Sequence, residues 1–338
     1  MTFITVLLVI LGTFTSQAMS RRILEVSVAD KHEQWMAKHG RTYKDNEEKQ
    51  KRLQIFKDNF DFVNKVNNEG NRTYKLSVNK FADLTNEEFR ATRTGYKLST
   101  EPKSTTAETT SSFKYASVTK VPSSMDWRKK GAVTSVKDQG ECQCCWAFSA
   151  TAAVEGLTKI KTGKLADLSE QQLVNCARDG NNGCNRGWMD NAFQYIVKNQ
   201  GQTTEANYPY EAEDGTCDTK KASAKAAKIT GFEDVPANNE AALLKAAAYQ
   251  PISVAVEGEG RDFQLYASGI FSGGCGTDLN HAVTLVGYGV AQDGTKYWLV
   301  KNSWGQNWGE SGYMRIKRDH SDPAGLCGIA MHASYPVA

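Results

Sequence analysis

The stretch Gln139-Gly140-Glu141-Cys142-Gln143-Cys144-Cys145-Trp146-Ala147-Phe148-Ser149-Ala150 decides how the rest of this 338-residue chain is read. After it, Trp146, Ala150, Ala153, Val154, Leu157 and Ile160 recur at helical spacing until Gly163 can end the run. Cys145 therefore falls at the N-terminus of a helix. Unpaired N–H groups and the macrodipole at that end favour a thiolate, which is the nucleophilic form of cysteine. Far downstream lie His281, in Leu279-Asn280-His281-Ala282-Val283, and Asn302, in Lys301-Asn302-Ser303-Trp304-Gly305. A thiol, an imidazole and an amide are what nucleophilic acyl transfer needs: an attacking sulfur, a proton carrier and a group that orients the carrier.

Toward the C-terminus, Ser169-Glu170-Gln171-Gln172 has capping-box spacing and starts a second helix toward Val174. Trp188, Met189, Ala192, Phe193, Ile196 and Val197 form a third helical stripe. Past Gly231 the texture changes to short β-rich runs, Ile252 to Val256, Ala282 to Tyr288, Tyr297 to Lys301 and Tyr313 to Ile316. One helical half and one antiparallel sheet or barrel half predict an α+β molecule with a cleft between them. Cys145 comes from the first half and His281 with Asn302 from the second, so the site is expected across that cleft.

Toward the N-terminus, an apolar run from Val6 to Leu11 leads through small and polar residues to Ser20 and then Arg21-Arg22. It is too short to cross a bilayer and reads as a cleaved signal peptide over 1–20. No later segment is a transmembrane candidate, and the mature protein is expected to be soluble. From Asp30 to about Asn68 the pattern is helical, with Trp35, Met36, Leu53, Phe56, Phe60 and Val63 as its apolar stripe. Glu48, Arg52, Phe56, Asn59, Val63 and Asn67 share one face, where Glu48 and Arg52 can pair; an ordinary amphipathic helix has the same spacing. Asn71-Arg72-Thr73 is a glycosylation sequon. Residues 98–120 turn Ser/Thr-rich and lose periodicity, as a flexible, cuttable linker does.

The net charge of +3 gives no reason to expect nucleic acid as a partner. Its distribution is uneven: residues 1–120 hold 20 Lys+Arg against 14 Asp+Glu, leaving 21 against 24 for the remainder. A basic leader and a mildly acidic body attract one another, although solvated charged faces would give the same count. All eight cysteines follow residue 141, a density that with a secretory leader argues for disulfides in an oxidising compartment. Their connectivity stays open from the sequence alone. The spacing lacks the paired Cys-x-x-Cys turns of structural zinc sites, so no metal is expected.

These residues resemble the papain family of cysteine endopeptidases with its prosegment, in the style of the senescence-type and vacuolar enzymes of plants. The family's nucleophile signature is Cys-Gly-Ser/Ala-Cys-Trp/Tyr. Here it reads Cys142-Gln143-Cys144-Cys145-Trp146, with Gln143 standing where the family has glycine. The helical face from Glu48 to Asn67 matches the inhibitory prosegment motif, with Val63 for the usual Ile. Ser77-Val78-Asn79-Lys80-Phe81-Ala82-Asp83 matches a second prosegment motif, with Ser77 for Gly.

The resemblance implies a papain-like two-lobed α+β fold, with a helical left lobe over 121–230 and an antiparallel β-barrel-like right lobe over 231–338. A helical inhibitory prosegment over 21–97 precedes them, and activation is implied in the 98–120 linker, before Val121-Pro122. It implies Cys145 as nucleophile, His281 as proton carrier, and Asn302 as orienter, with Trp304 covering the pair. Gln139, six residues before Cys145, would donate to the oxyanion with the Cys145 N–H, a donor of a kind worth about 2.7–4 kcal/mol.

Implied disulfides are Cys142–Cys184, Cys176–Cys217 and Cys275–Cys327, leaving Cys145 for chemistry and Cys144 as a small buried side chain. The substrate backbone would run along Asn185, Arg186 and Gly187, where Arg186 replaces a family glycine. With Gln143, that puts two large side chains on the cleft border and predicts a narrowed or acid-tolerant substrate choice there. Trp188, Met189, Ala255, Leu279 and Ala282 would form the pocket for the second residue before the scissile bond, with His332 at its floor. That wall suits Leu, Val or Phe, while a protonated His332 would admit acidic side chains.

The partners implied are peptide and protein substrates, the chain's own prosegment and cystatin-type inhibitors, with a monomer, no membrane partner and no cofactor. The destination implied is the secretory pathway, ending in a vacuole or lysosome-like compartment or outside the cell. No Cys- and His-bearing insertion that would block one end of the cleft is seen, and no Cys in the prosegment that would anchor a blocking peptide, which favours an endopeptidase over an exopeptidase. Neither a granulin-like Cys-rich tail nor a Lys-Asp-Glu-Leu ending is read. The rival expectation is a catalytically silent peptide binder, its cleft obstructed by Gln143 and Arg186.

Overall fold

The computed structural model describes residues 28–96 and 113–338. The signal-peptide expectation over 1–20 and most of the 98–120 linker lie outside the described residues. In the leader, α1 (described over 28–39) is followed by α2 (Asn46–Asn68), β1 (Tyr74–Leu76) and α3 (Asn86–Arg93). The single helical pattern expected from Asp30 to Asn68 is thus two helices. The second starts afresh because the Asp45 side chain caps the Glu48 N–H at 2.8 Å. β1 is a strand inside a leader expected to be helical, and it joins the sheet of the body by antiparallel pairing with β5.

The first half of the body carries α4 (Cys145–Thr162), α5 (Glu170–Cys176), α6 (Met189–Lys198) and α7 (Thr219–Ser223). Ser169 caps α5 through the Gln172 N–H at 3.0 Å. In the second half, α8 (Glu240–Ala247) and α9 (Arg261–Gln264) accompany the strands. These are β3 (Gly231–Asp234), β4 (Ile252–Val256), β5 (Tyr266–Phe271), β6 (His281–Val290), β7 (Lys296–Lys301), β8 (Tyr313–Lys317) and β9 (Ala333–Val337), joined by β2 (Met125–Asp126) from the start of the body. Their order is β1-β5-β8-β7-β6-β4-β9-β3, with β2 paired to β6. This path is open, and the β5–β8 pair is parallel, where the sequence had suggested only antiparallel neighbours.

Two apolar cores result in the body, and a third, of Val28, Trp35, Phe56 and Ala82, lies within the leader. Trp146, Ala150, Ala153 and Leu157 of α4 pack with Leu173, Phe193 and Ile196 in the helical half; Val254, Leu285, Trp298 and Ile316 anchor the sheet half. Polar bonds tie the halves together: Ser149 Oγ donates to Val283 O at 2.7 Å, and Ser253 Oγ to Ser149 O at 2.9 Å. A buried charged group adds to them, with Lys137 on Glu170 at 2.8 Å and Lys301 donating to Thr134 Oγ1 at 2.9 Å. The disulfides Cys142–Cys184, Cys176–Cys217 and Cys275–Cys327 are all present, and Cys144 and Cys145 are free.

The motif residues chiefly hold the leader's own fold together, with Asn59 and Val63 reaching the body. Arg52 lies 3.9 Å from Glu48, but its shorter ion pair is with Glu88 of α3, at 2.7 Å. Phe56 is fully buried against Trp35. Asn59 donates to Ala82 O and Leu84 O at 2.9 and 3.0 Å and accepts from Arg261 of the body at 3.0 Å. Val63 joins the sheet-half core, and Asn67 clamps β1 by exchanging two hydrogen bonds with the Leu76 backbone. The motif spacing is therefore a set of anchors for β1 and for the turn after Asn79.

Candidate active site

Cys145 opens α4 and is fully buried. The Ala282 N–H donates to its sulfur at 3.4 Å, which sets it beside His281, the first residue of β6. His281 Nε2 meets Asn302 Oδ1 at 2.8 Å, and the same oxygen accepts from the Ser303 N–H at 2.8 Å. An amide oxygen only accepts, so Nε2 carries the ring proton and Nδ1 is the basic nitrogen. Nδ1 has no hydrogen-bond partner and is free to take a proton. The Trp304 indole stacks on the imidazole at 4.4 Å and 23°, sealing it from water.

Gln139 is buried, and its Oε1 accepts from Ser303 Oγ at 2.6 Å, which fixes the amide so that Nε2 faces the cleft. Nε2 reaches Cys142 O at 3.0 Å and Arg93 O of the leader at 3.2 Å. A leader carbonyl thus occupies the donor expected for an oxyanion. Ser303 was missed by the sequence reading, since a serine beside a candidate Asn has no spacing signal.

The leader continues across the site. Gly95 and Tyr96 donate their N–H groups to Asn280 O at 3.0 and 2.9 Å, and Gly95 O accepts from the Gly187 N–H at 2.9 Å. The Tyr96–Gly187 bridge is parallel. A Cβ on Gly95 would sit 2.0 Å from Gln143 O, so only glycine passes here. Gly187 is held to the same standard by the Trp146 ring, 2.7 Å from where its Cβ would be. Gln143 itself hydrogen-bonds Ala91 O of the leader through its side chain.

Covered in this way, the pair is not the thiolate and imidazolium expected of a working site. Burial pushes the Cys145 thiol up to about 12, against weaker opposing bonds from the Ala282, Trp146 and Gly95 backbone. Burial likewise lowers His281 to about 4, only partly offset by Asn302. With water excluded, each charged form loses solvation, so the closed form holds a neutral thiol beside a neutral ring.

Trp188, Met189, Ala255 and Ala282, with half-buried Leu279, lie in one apolar cluster, and His332 is 6.1 Å from the Trp188 ring. Tyr96 of the leader belongs to the same cluster, its ring 6.3 Å from that of His332. Arg186 is exposed and sits at φ 79°, the left-handed region, on a groove shared with Glu259 and Asp278. Among the described residues no cluster of His, Cys, Asp or Glu could hold a metal, and no helix is long and apolar enough to cross a membrane. Asn71 is exposed, whereas the Thr73 hydroxyl of its sequon reaches Ser272 Oγ at 2.9 Å.

A thiol at a helix N-terminus, an oriented imidazole and a self-supplied strand across both define a cysteine peptidase held closed by its own leader. Residues 121–337 match the model of the papain family cysteine proteases and residues 32–89 that of the cathepsin propeptide inhibitor domain (I29), and the chain belongs to the papain family. It is a cysteine endopeptidase carried as a zymogen. It is 55% identical over 317 residues to the senescence-specific cysteine protease SAG12 of Arabidopsis thaliana, covering 93% of this chain and 91% of that one. Vignain of Ricinus communis is also 55% identical, over 319 residues, covering 93% and 87%. Among solved structures, the recombinant stem bromelain precursor superposes with TM-score 0.82 at 46% identity, covering 92% of this chain and 99% of that one. The proform of Amb a 11, a ragweed pollen cysteine protease, gives 0.82 at 40% identity, covering 92% and 94%.

Proposed function

We propose that Cys145, His281 and Asn302 carry peptide-bond hydrolysis once the leader has gone. The observation that supports it is the Cys145–His281–Asn302 alignment with the leader's backbone laid over it. The thiol proton passes to His281 Nδ1 and the sulfur attacks the scissile carbonyl. Gln139 Nε2 and the Cys145 N–H hold the oxyanion, and His281 returns the proton to the leaving amine. Water, deprotonated by His281, then hydrolyses the thioester and regenerates the thiol. The parallel run of Gly95–Tyr96 against Gly187 favours inhibition without cleavage, because a substrate would lie in the opposite direction.

The second subsite takes apolar residues such as Leu, Val or Phe against Trp188, Met189, Ala255, Leu279 and Ala282. Arg186 and Gln143 shape the neighbouring subsites. Reverting both to Gly should broaden a peptide-library profile and weaken selection for acidic residues near Arg186; an unchanged profile contradicts the assignment. Arg186→Gly should also raise stability by ~1 kcal/mol in a thermal melt, since a side chain in the left-handed region is strained.

The zymogen works on the secretory route and matures in an acidic vacuole or lysosome-like compartment, in bulk proteolysis of the senescence type. It is a monomer with a glycan on Asn71, and the open cleft is a target for cystatin-type inhibitors. The leader's own titration supports acid release. Burial lowers His32 and His39 from the ordinary 6.5, His39 to about 4. Both rings pack on the leader's own side chains, His32 on Trp35, Tyr43 and Phe56 and His39 on Trp35. An unfolded leader therefore binds those protons and a folded one does not. The leader's fold is strongest above 6.5, weakens as pH falls toward 4, and loosens its hold on the cleft as it does so.

Burial raises Glu88, but hydrogen bonds from Thr85 and Arg52 outweigh it and hold the carboxyl below its usual range, so its contribution is lost in stronger acid. Asp83, raised by burial, acts in the opposite sense. Processing of the purified zymogen followed from pH 4 to 7 should accelerate as pH drops below about 6.5, the ordinary His value. A rate independent of pH contradicts acid release.

A further inference from the structure

In the closed form Tyr96 packs in the apolar cluster that holds the pocket assigned to the second substrate residue, buried to 3% exposure, with its ring 6.3 Å from that of His332. The Tyr96 hydroxyl is buried and has no hydrogen-bond partner. That is an unfavourable state for a phenol inside a protein. Burial, and after it the negative charges of Asp190 and Asp234, raise the pKa of that hydroxyl, which places both carboxylates in electrostatic range of its tip.

A cavity of about 350 Å³ shares Trp188, Met189 and His332 with the pocket and is lined further on by Asp190, Asp234 and Ser334. Asp190 and Ser334 are 4% and 3% exposed, and Ser334 Oγ has no hydrogen-bond partner. An apolar wall thus opens onto two carboxylates and an unsatisfied hydroxyl.

We propose that the second subsite is two-tiered, an apolar collar followed by a carboxylate-lined depth, and that it selects peptides carrying arginine, lysine or tyrosine there over shorter apolar side chains. This rests on the reading of the cleft as a peptide hydrolase and extends its apolar preference inward. A long cationic side chain lays its methylene stem along Trp188 and Met189 and carries its head past the collar. At that depth it gives Asp190 and Asp234 charge-assisted hydrogen bonds, and the planar fork of arginine suits two acceptors better than an ammonium does. Leucine fills only the collar. Tyrosine brings a hydroxyl to the same depth, as Tyr96 does.

The test uses acid-matured protein and two fluorogenic dipeptide amides that differ only in arginine or leucine at the second position. The ratio of kcat/KM for arginine over leucine should exceed one and should fall about tenfold in Asp234→Asn and in Asp190→Asn, the effect of losing one charged hydrogen bond. Asp190 lies in the first turn of α6, so should Asp190→Asn fail to fold, the exposed Asp234 decides the matter. An unchanged ratio in Asp234→Asn overturns the proposal. Wild-type hydrolysis of the leucine substrate alone overturns it as well and leaves the protease reading standing. Hydrolysis of neither substrate overturns both.

Discussion

Cys145→Ala, in protein matured at acid pH, is expected to lower kcat/KM on a peptide with Leu or Phe at the second position by on the order of 10⁴ or more. A nucleophile that acts as one unit with its base loses nearly all covalent catalysis when either is removed. No neighbour can take its place. Cys144 is fully buried, its sulfur lies 3.0 Å from the Tyr210 hydroxyl, and burial raises its thiol pKa. The measurement is hydrolysis by wild type and variant after removal of the leader from both, the variant being cut by added wild-type enzyme and repurified. A variant retaining more than about a hundredth of the wild-type rate would transfer the nucleophile elsewhere.

The second large effect concerns latency. Phe81 and Phe89 of the leader are fully buried, and their rings stand edge-on to Trp304 at 5.8 and 5.1 Å, beside Phe263 and Trp308 of the body. Truncating a buried Phe to Ala costs about 3–5 kcal/mol. Trp304 is also the lid of His281, so the leader's main apolar anchor lies on the group that shields the imidazole. Phe81→Ala with Phe89→Ala should therefore raise the activity of unprocessed protein at pH 7 by about a hundredfold or more. Assaying a variant that also resists processing separates release from cutting. A double variant as silent as wild type would mean that the backbone contacts of Arg93 to Tyr96 hold the leader without help.

What the sequence disclosed and what it withheld divide along physical lines. Local regularities were readable: the run after Cys145 is α4, the Ser169 cap opens α5, and the four β-rich runs are β4, β6, β7 and β8 to within two residues at either end. These depend on periodicity and capping among near neighbours. Contacts between distant segments were not readable. Arg52 pairs best with Glu88 rather than with the Glu48 one turn away, because tertiary docking of α3 brings the closer carboxylate. β1 has too few residues to show a strand period and exists because β5 offers an edge.

The site divides in the same way. Cys145, His281, Asn302 and Gln139 were named from motifs, whereas Ser303, Asn280 and Tyr96 enter through contacts that no spacing encodes. The charge state was also out of reach, since it depends on water excluded by a leader strand. Arg186 is the reverse case, a residue whose type conflicts with its backbone, visible in sequence as a missing glycine and in structure as a φ of 79°.

The most direct test of a leader-closed thiol site is the rate at which iodoacetamide alkylates each free cysteine, read by peptide mass spectrometry at pH 7 before and after leader removal. The account predicts that Cys145 is nearly inert in the zymogen, becomes fast once the leader is gone, and that Cys144 stays unlabelled throughout. Equal labelling of Cys145 in both forms, or preferential labelling of Cys144, would contradict it.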